Sequence, residues 1–261
     1  MGLLQQPLFM YNLIMEIIKS RQNKKVKYYR SLLQKKYRIK ENLFLAEGAV
    51  VIREALEFVY PKYVAIEDKK DFGEIINLLE ERNIPYDIYD SEVFETLSDT
   101  KTPQGIIGYF EVENKTFEPK PGKYLYLDGV KDPGNIGTII RTAEAFGVYG
   151  VLLSSECAEL YSPKVVRSTM ASIFRTKVYS DINLMDIRNG FKIVCADLKG
   201  KNIREKTDWD DTIVVIGSEA QGVSKEILEI CDEAVLIPMD KNIDSLNAAV
   251  AASLFMYEMT K

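Results

Sequence analysis

A chain of 261 residues, 46% hydrophobic and 28% charged, has the composition of a water-soluble protein long enough for two domains. It contains no histidine, which excludes Ser–His and Cys–His triads and the commonest metal ligand. Its net charge of -5 argues against a nucleic-acid partner only until the distribution of that charge is considered.

The opening run MGLLQQPLFMYNLIMEIIKS is apolar, but it lacks the basic start and small-residue cleavage site of a secretory signal. No stretch approaches the roughly 18 apolar residues of a membrane span. A cytoplasmic protein with no membrane partner is expected. Residues 1–40 hold ten basic side chains (Lys19, Arg21, Lys24, Lys25, Lys27, Arg30, Lys35, Lys36, Arg38, Lys40) against Glu16, a local balance of +9. Tyr28, Tyr29 and Tyr37 are interleaved with them. This is either a phosphate-binding face with rings for stacking bases, or an ordinary solvated helix surface.

From residue 41 to 110, helical patterns (AVVIREALEFV, FGEIINLLEER) alternate with short strand-like runs (YVAIE, YDIYD, GIIGYF), as in a small α/β domain. The segment EVENKTFEPKPGK, with Pro119, Pro121 and Gly122, reads as a linker. Beyond it YLYLDGV, GVLLSS, FKIVCAD, TIVVIGS and EAVLIPM are continuous apolar strand runs separated by helical text, the mark of a parallel sheet covered on both faces. The expected layout is a first domain over 1–112, with 1–14 a possible extension, a linker over 113–122 and a second domain over 123–261. Cys157, Cys195 and Cys231 lie far apart with no C-x-x-C, which suggests reduced, buried thiols rather than a zinc site or a disulfide framework.

Three stretches of the second domain carry chemistry. In LDGVKDPGNIGTIIRTAEAFGV a strand enters a Pro/Gly turn and a helix, yet its glycines fit neither nucleotide-binding fingerprint. A Rossmann dehydrogenase is thereby disfavoured. Asn135 suits the N-cap, Ile136, Ile139, Ile140, Ala143 and Phe146 form one apolar face, and Gly147 suits the helix end. Arg141 falls almost opposite that face: it is either a solvated arginine or a functional one. VVIGSEAQGVS is a buried strand opening into a glycine-containing turn with one carboxylate, Glu219. LIPMDKNIDSLNAAVAASLFMYE is a strand, a polar loop and a helix so apolar on nearly all sides that it is expected to be buried, against a second subunit if not within the chain. All three stand at strand C-termini, where open parallel sheets bind ligands.

Together DPGNIGTIIRTAEAFG, IGSEAQGVS and IPMDKNIDSLNAAVAA resemble the three motifs of the SpoU/TrmH family of RNA ribose 2′-O-methyltransferases, in the SPOUT superfamily. KVKYYRSLLQKKYRIKENLFLAEGAVVIREAL and LSDTKTPQGIIGYF resemble the substrate-binding domain that precedes the catalytic one in many members, with a fold like small RNA-binding ribosomal proteins. The resemblance implies a parallel-sheet SPOUT domain closed by a C-terminal trefoil knot, an exception to the rule against knots. It also implies a homodimer, an RNA partner and S-adenosylmethionine as cofactor, with no metal. The cofactor would be held by main chain at Gly217, Ile237 and Leu246, and the reacting ribose would be surrounded by Asn135, Arg141, Glu219, Ser245 and Asn247. The sequence departs from the family pattern at Ala220 and Ala171, where glycines are frequent.

A sulfonium methyl is already a strong electrophile, so the resemblance implies an enzyme that mainly aligns it with a 2′-hydroxyl. Arg141 is expected as a clamp on the adjoining phosphate and a stabiliser of the developing alkoxide, since guanidinium is a poor base. Asn135 would orient the ribose, and Glu219 would position Arg141 or Asn135. The two-domain layout favours 23S ribosomal RNA; a transfer RNA substrate and a non-catalytic RNA-binding protein on the same fold are the alternatives. The family-like text begins at Met15, so the preceding segment is expected to be dispensable.

Overall fold

The computed structural model describes residues 16–261 except 114, 206, 241, 243 and 244; the apolar segment 1–14 and Met15 lie outside the described residues. The basic stretch folds into α1 (Lys24–Ser31) and α2 (Lys35–Glu41), with the Asn23 side chain capping α1 by accepting from the Lys25 amide at 2.8 Å. Then come β1 (Leu43–Glu47), α3 (Ala49–Ala55), β2 (Tyr63–Glu67), α4 (Gly73–Glu81), β3 (Tyr86–Tyr89), α5 (Ser91–Phe94) and β4 (Ile106–Glu111). The strands form a mixed sheet in the order β1-β4-β2-β3, with β4 antiparallel to both neighbours and β2 parallel to β3. β1 was not among the expected strands: LFLAE is buried almost throughout and shows no alternation. Alternate residues serve opposite faces. Phe44, Val64, Ile66 and Phe110 pack with Val51, Ile52 and Leu79 of α3 and α4, whereas Leu45, Tyr63, Ala65 and Tyr109 pack with Val26, Leu32 and Phe94.

The tyrosines of the basic stretch correct the stacking expectation. Tyr29 lies flat on Tyr63, with centroids 4.2 Å apart, and both Tyr29 and Tyr37 pack against the core, so only Tyr28 (38% exposed) offers a substantial ring surface. Arg38 is likewise no solvated cation. It is 4% exposed, donates to the Leu32 carbonyl and grips both carboxylate oxygens of Glu159 at 2.9 and 2.6 Å.

The second unit comprises β5 (Tyr124–Asp128), α6 (Pro133–Phe146), β6 (Gly150–Leu153), α7 (Pro163–Ser168), β7 (Val178–Tyr179), α8 (Leu184–Ile187), β8 (Lys192–Asn202), β9 (Thr212–Gly217), α9 (Lys225–Glu229), β10 (Glu233–Leu236) and α10 (Ala248–Met259). Its six strands are all parallel, in the order β10-β8-β9-β5-β6-β7. The expected α/β class with a parallel sheet is therefore present. Leu125, Leu127, Val214 and Ile216 face α6 and α10, while Tyr124, Tyr126, Ile213 and Val215 face α8 and α9. β8 runs five residues beyond the expected FKIVCAD, because its polar end pairs with β10 after a register shift between Ala234 and Val235. β7 has two residues, too few to show a period. Cys195 is buried in the sheet, and Cys157 and Cys231 are half-buried; all three thiols are free.

The two sheets are packed together rather than merely tethered. Val166 and Ala171 belong to the same buried cluster as Phe44 and Phe110, and Tyr161 and Phe174 lay their rings 4.7 and 4.6 Å from those of Phe44 and Phe110. Ala171 turns the chain here in the left-handed region, with φ 70°, a conformation that costs a residue with a Cβ about 1–2 kcal/mol and that glycine takes freely. Arg38–Glu159, Arg167–Asp99 and Arg175–Glu54 ion pairs cross the same boundary. Among the described residues between β4 and β5 no helix or strand forms, but Phe117 packs edge-on against Tyr124 and Tyr179.

Candidate active site

α6 starts one turn before the residue that the sequence suggested. Asp132 is the N-cap: its carboxylate accepts from the Asn135 amide at 2.8 Å, and Pro133 fills the first helical position, where no N–H is needed. Asn135 thus sits in the first turn with its side chain released from capping. Its Nδ2 donates to Glu219 Oε1, and its Oδ1 accepts from Asn247 Nδ2 at 3.0 Å. The other end of the Asn247 amide caps α10, accepting from the Ala249 and Val250 amides at 2.9 and 3.3 Å. Residues 135, 219 and 247, from three separated motifs, are thereby joined in one hydrogen-bonded set. The rest of α6 follows its pattern at Ile136, Ile139, Ile140 and Ala143, all buried, and ends at Gly147 with φ 67°. Phe146 departs from it and is 37% exposed.

Glu219 projects from a tight loop after β9. The Gly222 amide donates to the Ser218 carbonyl at 2.9 Å, and the Ser224 amide donates to Asp128 Oδ2, at the end of β5, at 2.7 Å. A Cβ placed on Gly217 would stand 2.0 Å from the Gly222 carbonyl carbon. The close approach that glycine permits at 217 is therefore first of all the loop's approach to itself. Ala220 has no positive φ among the described residues, so its methyl group carries no backbone strain.

A cleft of about 510 Å³ opens at the C-termini of β8, β9 and β10. Gly217, Ile237 and Leu246 line it, as do Glu219 and Ser245, while Ile216, Val235 and Phe255 give it an apolar floor. Asp197, Leu198 and Lys199 form a wall that the motifs did not announce, because LKGKN reads as loop by composition and pairs as strand only through β10. Asn135 does not line the cleft but is bonded to Glu219, which does; Asn247, bonded to Asn135, is one residue further along the set. Arg141 is not brought into that set. It is exposed on the outward side of α6, does not line the cleft, and its side chain has no hydrogen bond or ion pair among the described residues.

A cleft of this size, with glycine-bearing loops in its wall and an apolar floor, is built for a small organic ligand with a flat apolar part and a polar edge. Comparison with known proteins identifies the class. The model of the SpoU rRNA Methylase family matches residues 122–257, and that of the MRM3-like substrate binding domain matches residues 23–108. The chain is 32% identical to the 23S rRNA (guanosine(2553)-2′-O)-methyltransferase RlmP of Bacillus subtilis, over 94% of this chain and 99% of that one. It is 31% identical to an uncharacterised tRNA/rRNA methyltransferase of Synechocystis, over 95% and 96% of the two chains. The AdoMet-bound rRNA methyltransferase of Sinorhizobium meliloti superposes with a TM-score of 0.83 at 28% identity, covering 94% of this chain and 97% of that one. The chain belongs to the SpoU rRNA methylase family. It is an RNA ribose 2′-O-methyltransferase, and its methyl donor is S-adenosylmethionine. The residues present fit that donor: Ile216, Val235 and Phe255 give an apolar floor that suits an adenine ring, and Gly217, Ile237 and Leu246 line the same cleft.

Proposed function

We propose that the RNA is 23S ribosomal RNA and that the reaction takes place where the Asn135–Glu219–Asn247 set meets the cleft. The observation that carries this reading is that hydrogen-bonded set itself, whose Glu219 lines a donor-sized cavity. The family description and the full-length likeness to a 23S rRNA enzyme favour the ribosomal substrate over transfer RNA.

When bound, S-adenosylmethionine supplies an already activated methyl group to the ribose 2′-oxygen and leaves as S-adenosylhomocysteine, with the hydroxyl proton released to water. The chain's task is alignment, which in favourable cases is worth about 7–11 kcal/mol. Gly217, Ile237 and Leu246 hold the donor through main chain. Asn135 orients the ribose, and its bond to Glu219 supports a positioning role for that carboxylate toward Asn135 rather than Arg141. Ser245 and Asn247 complete the ribose site. Arg141, with no competing partner among the described residues, is free to clamp the phosphate beside the reacting ribose and to stabilise the developing alkoxide.

A division into 1–112, 113–122 and 123–261 is supported by the presence of two separate sheets and by family matches over 23–108 and 122–257. The first unit binds RNA, and the second closes with the trefoil knot of its superfamily. Two copies form a homodimer. The outward side of α10 supports this, since Val250, Leu254 and Tyr257 are exposed beside Phe146. That exposure also modifies the expected all-round burial of the last helix, which is only half-covered within one chain. The enzyme acts in the cytoplasm without a metal; no helix among the described residues is long and apolar enough to cross a membrane. Mapping ribose methylation in ribosomal and transfer RNA from cells with and without the gene tests the reading. Loss of a 2′-O-methyl group from 23S RNA is expected, and a loss confined to transfer RNA contradicts the substrate.

A further inference from the structure

Arg175 leaves the short turn Ser172–Phe174, where the second unit packs against the first. Its Nε and Nη2 hold both oxygens of Glu144, the latter at 3.1 Å, and Glu144 lies on α6 three residues after Arg141. Its Nη1 donates to Glu54 Oε2 at 2.8 Å, on α3 of the first unit, and its guanidinium lies 5.5 Å from the Phe58 ring centre. The arginine side chain is only 22% exposed. Simple surface ion pairs contribute little, but here one planar fork is divided between two carboxylates on two units, a geometry that a point charge cannot reproduce. α6 is also wedged against α7, where a Cβ on Gly137 would come within 2.3 Å of Ser168 Cβ. On its far side, α7 shares a buried cluster with the first sheet through Val166. The helix that carries Asn135 and Arg141 is thus braced by elements that also hold the first unit.

We infer that Arg175 is a positioning residue that sets the register between the RNA-binding unit and the catalytic helix through Glu54 and Glu144. RNA seated on the first unit then arrives at α6 at a fixed distance. This matters because a misplacement of about 1 Å at the reacting centre costs on the order of a hundredfold in rate. The inference rests on the proposed function.

The test compares Glu54→Ala, Arg175→Gln and Arg175→Lys with the wild type on an unmodified 23S RNA transcript. Glu54→Ala removes the ion pair with the first unit and leaves the Arg175–Glu144 pair and the Phe58 contact in place. Both Glu54→Ala and Arg175→Gln are expected to lower kcat at least tenfold, with RNA KM, donor Kd and folded fraction within threefold of wild type. Arg175→Lys is not expected to restore kcat. A merely local support of α6 would instead weaken donor binding or folding in step with activity, and that outcome overturns the inference, as does wild-type kcat in Glu54→Ala. Hydrogen exchange in the free protein reads the brace without RNA: the α6 amides of Glu54→Ala are expected to exchange at least threefold faster, and unchanged exchange overturns the brace. A wild type that leaves the transcript unmethylated contradicts the substrate reading, and the exchange result still decides this one.

Discussion

Arg141 stands apart from the core and from the hydrogen-bonded set, so its contribution to function separates cleanly from any contribution to the fold. Arg141→Ala opens no cavity and should change stability by no more than about 0.5 kcal/mol. It is expected to lower methyl transfer at least about a hundredfold, the scale on which a lost charge-stabilising donor is felt. Arg141→Lys should fail similarly because it lacks the planar fork. Single-turnover methylation beside a melting curve separates the two effects, and wild-type turnover in either variant removes Arg141 from the mechanism. Glu144 offers a test of a different kind. Its hydrogen bond to Arg175 holds the carboxyl below the usual carboxylate range, while burial opposes the shift. A depressed folded-state pKa stabilises above the unfolded value, and that stability is lost as pH falls through the folded one. Glu144→Gln should therefore flatten the loss of stability below about pH 4.5, which acid titration followed by circular dichroism would show. An unchanged acid limb would mean that the pair contributes nothing to folding.

The loop after β9 and the helix pair α6–α10 show how elements make the site. Gly217→Ala drives a methyl group into the main chain of Gly222 and Val223, so the loop must open. Overpacking of this kind costs about 1–3 kcal/mol, and here it also displaces Glu219 from Asn135. At least tenfold weaker S-adenosylmethionine binding by calorimetry is expected, and donor affinity equal to wild type would exclude the loop from the donor site. The exposed stripe of Val250, Leu254 and Tyr257 runs along α10 next to Phe146, whose ring lies 5.9 Å from that of Tyr257. Leu254→Asp places a charge in its middle, where pairing would desolvate it. Light scattering is expected to report a folded monomer, and an unaltered dimer would locate the interface elsewhere.

At the scale of the molecule, the basic stretch that opens the first unit contains cations that face solvent as well as Arg38, which builds the boundary between the units. Lys24, Lys27 and Arg30 are exposed and have no ion pair among the described residues, whereas Arg38 is spent on Glu159 across the boundary. Replacing the first three with Gln should lower the slope of log affinity against log salt by about 2, at roughly 0.7 per phosphate contact on single-stranded RNA. Arg38→Gln should leave that slope unchanged and lower stability instead, since it strands a partly buried carboxylate. Filter binding across a salt series checks both. A slope unaffected by the triple change would make the basic stretch a solvated face.

Much of this protein was legible in its residues. The parallel sheet showed in continuous apolar runs such as TIVVIGS, because a strand covered on both faces has no polar side to alternate with. The loops bearing Asn135, Glu219 and Asn247 showed as glycine-, proline- and asparagine-rich turns at strand ends, where backbone geometry restricts the residue choice. What stayed hidden depends on partners distant in sequence. LFLAE and LKGKN become strands only by pairing with β4 and β10. Asp132 rather than Asn135 caps α6, because Asn135 has Glu219 and Asn247 to bind instead. Tyr29 and Arg38 look like solvated RNA-binding groups until Tyr63 and Glu159 fold against them. Local periodicity can say which side of an element is apolar. Only the tertiary structure decides what covers it, since burial of a ring or a charge is set by groups that may lie a hundred residues away along the chain.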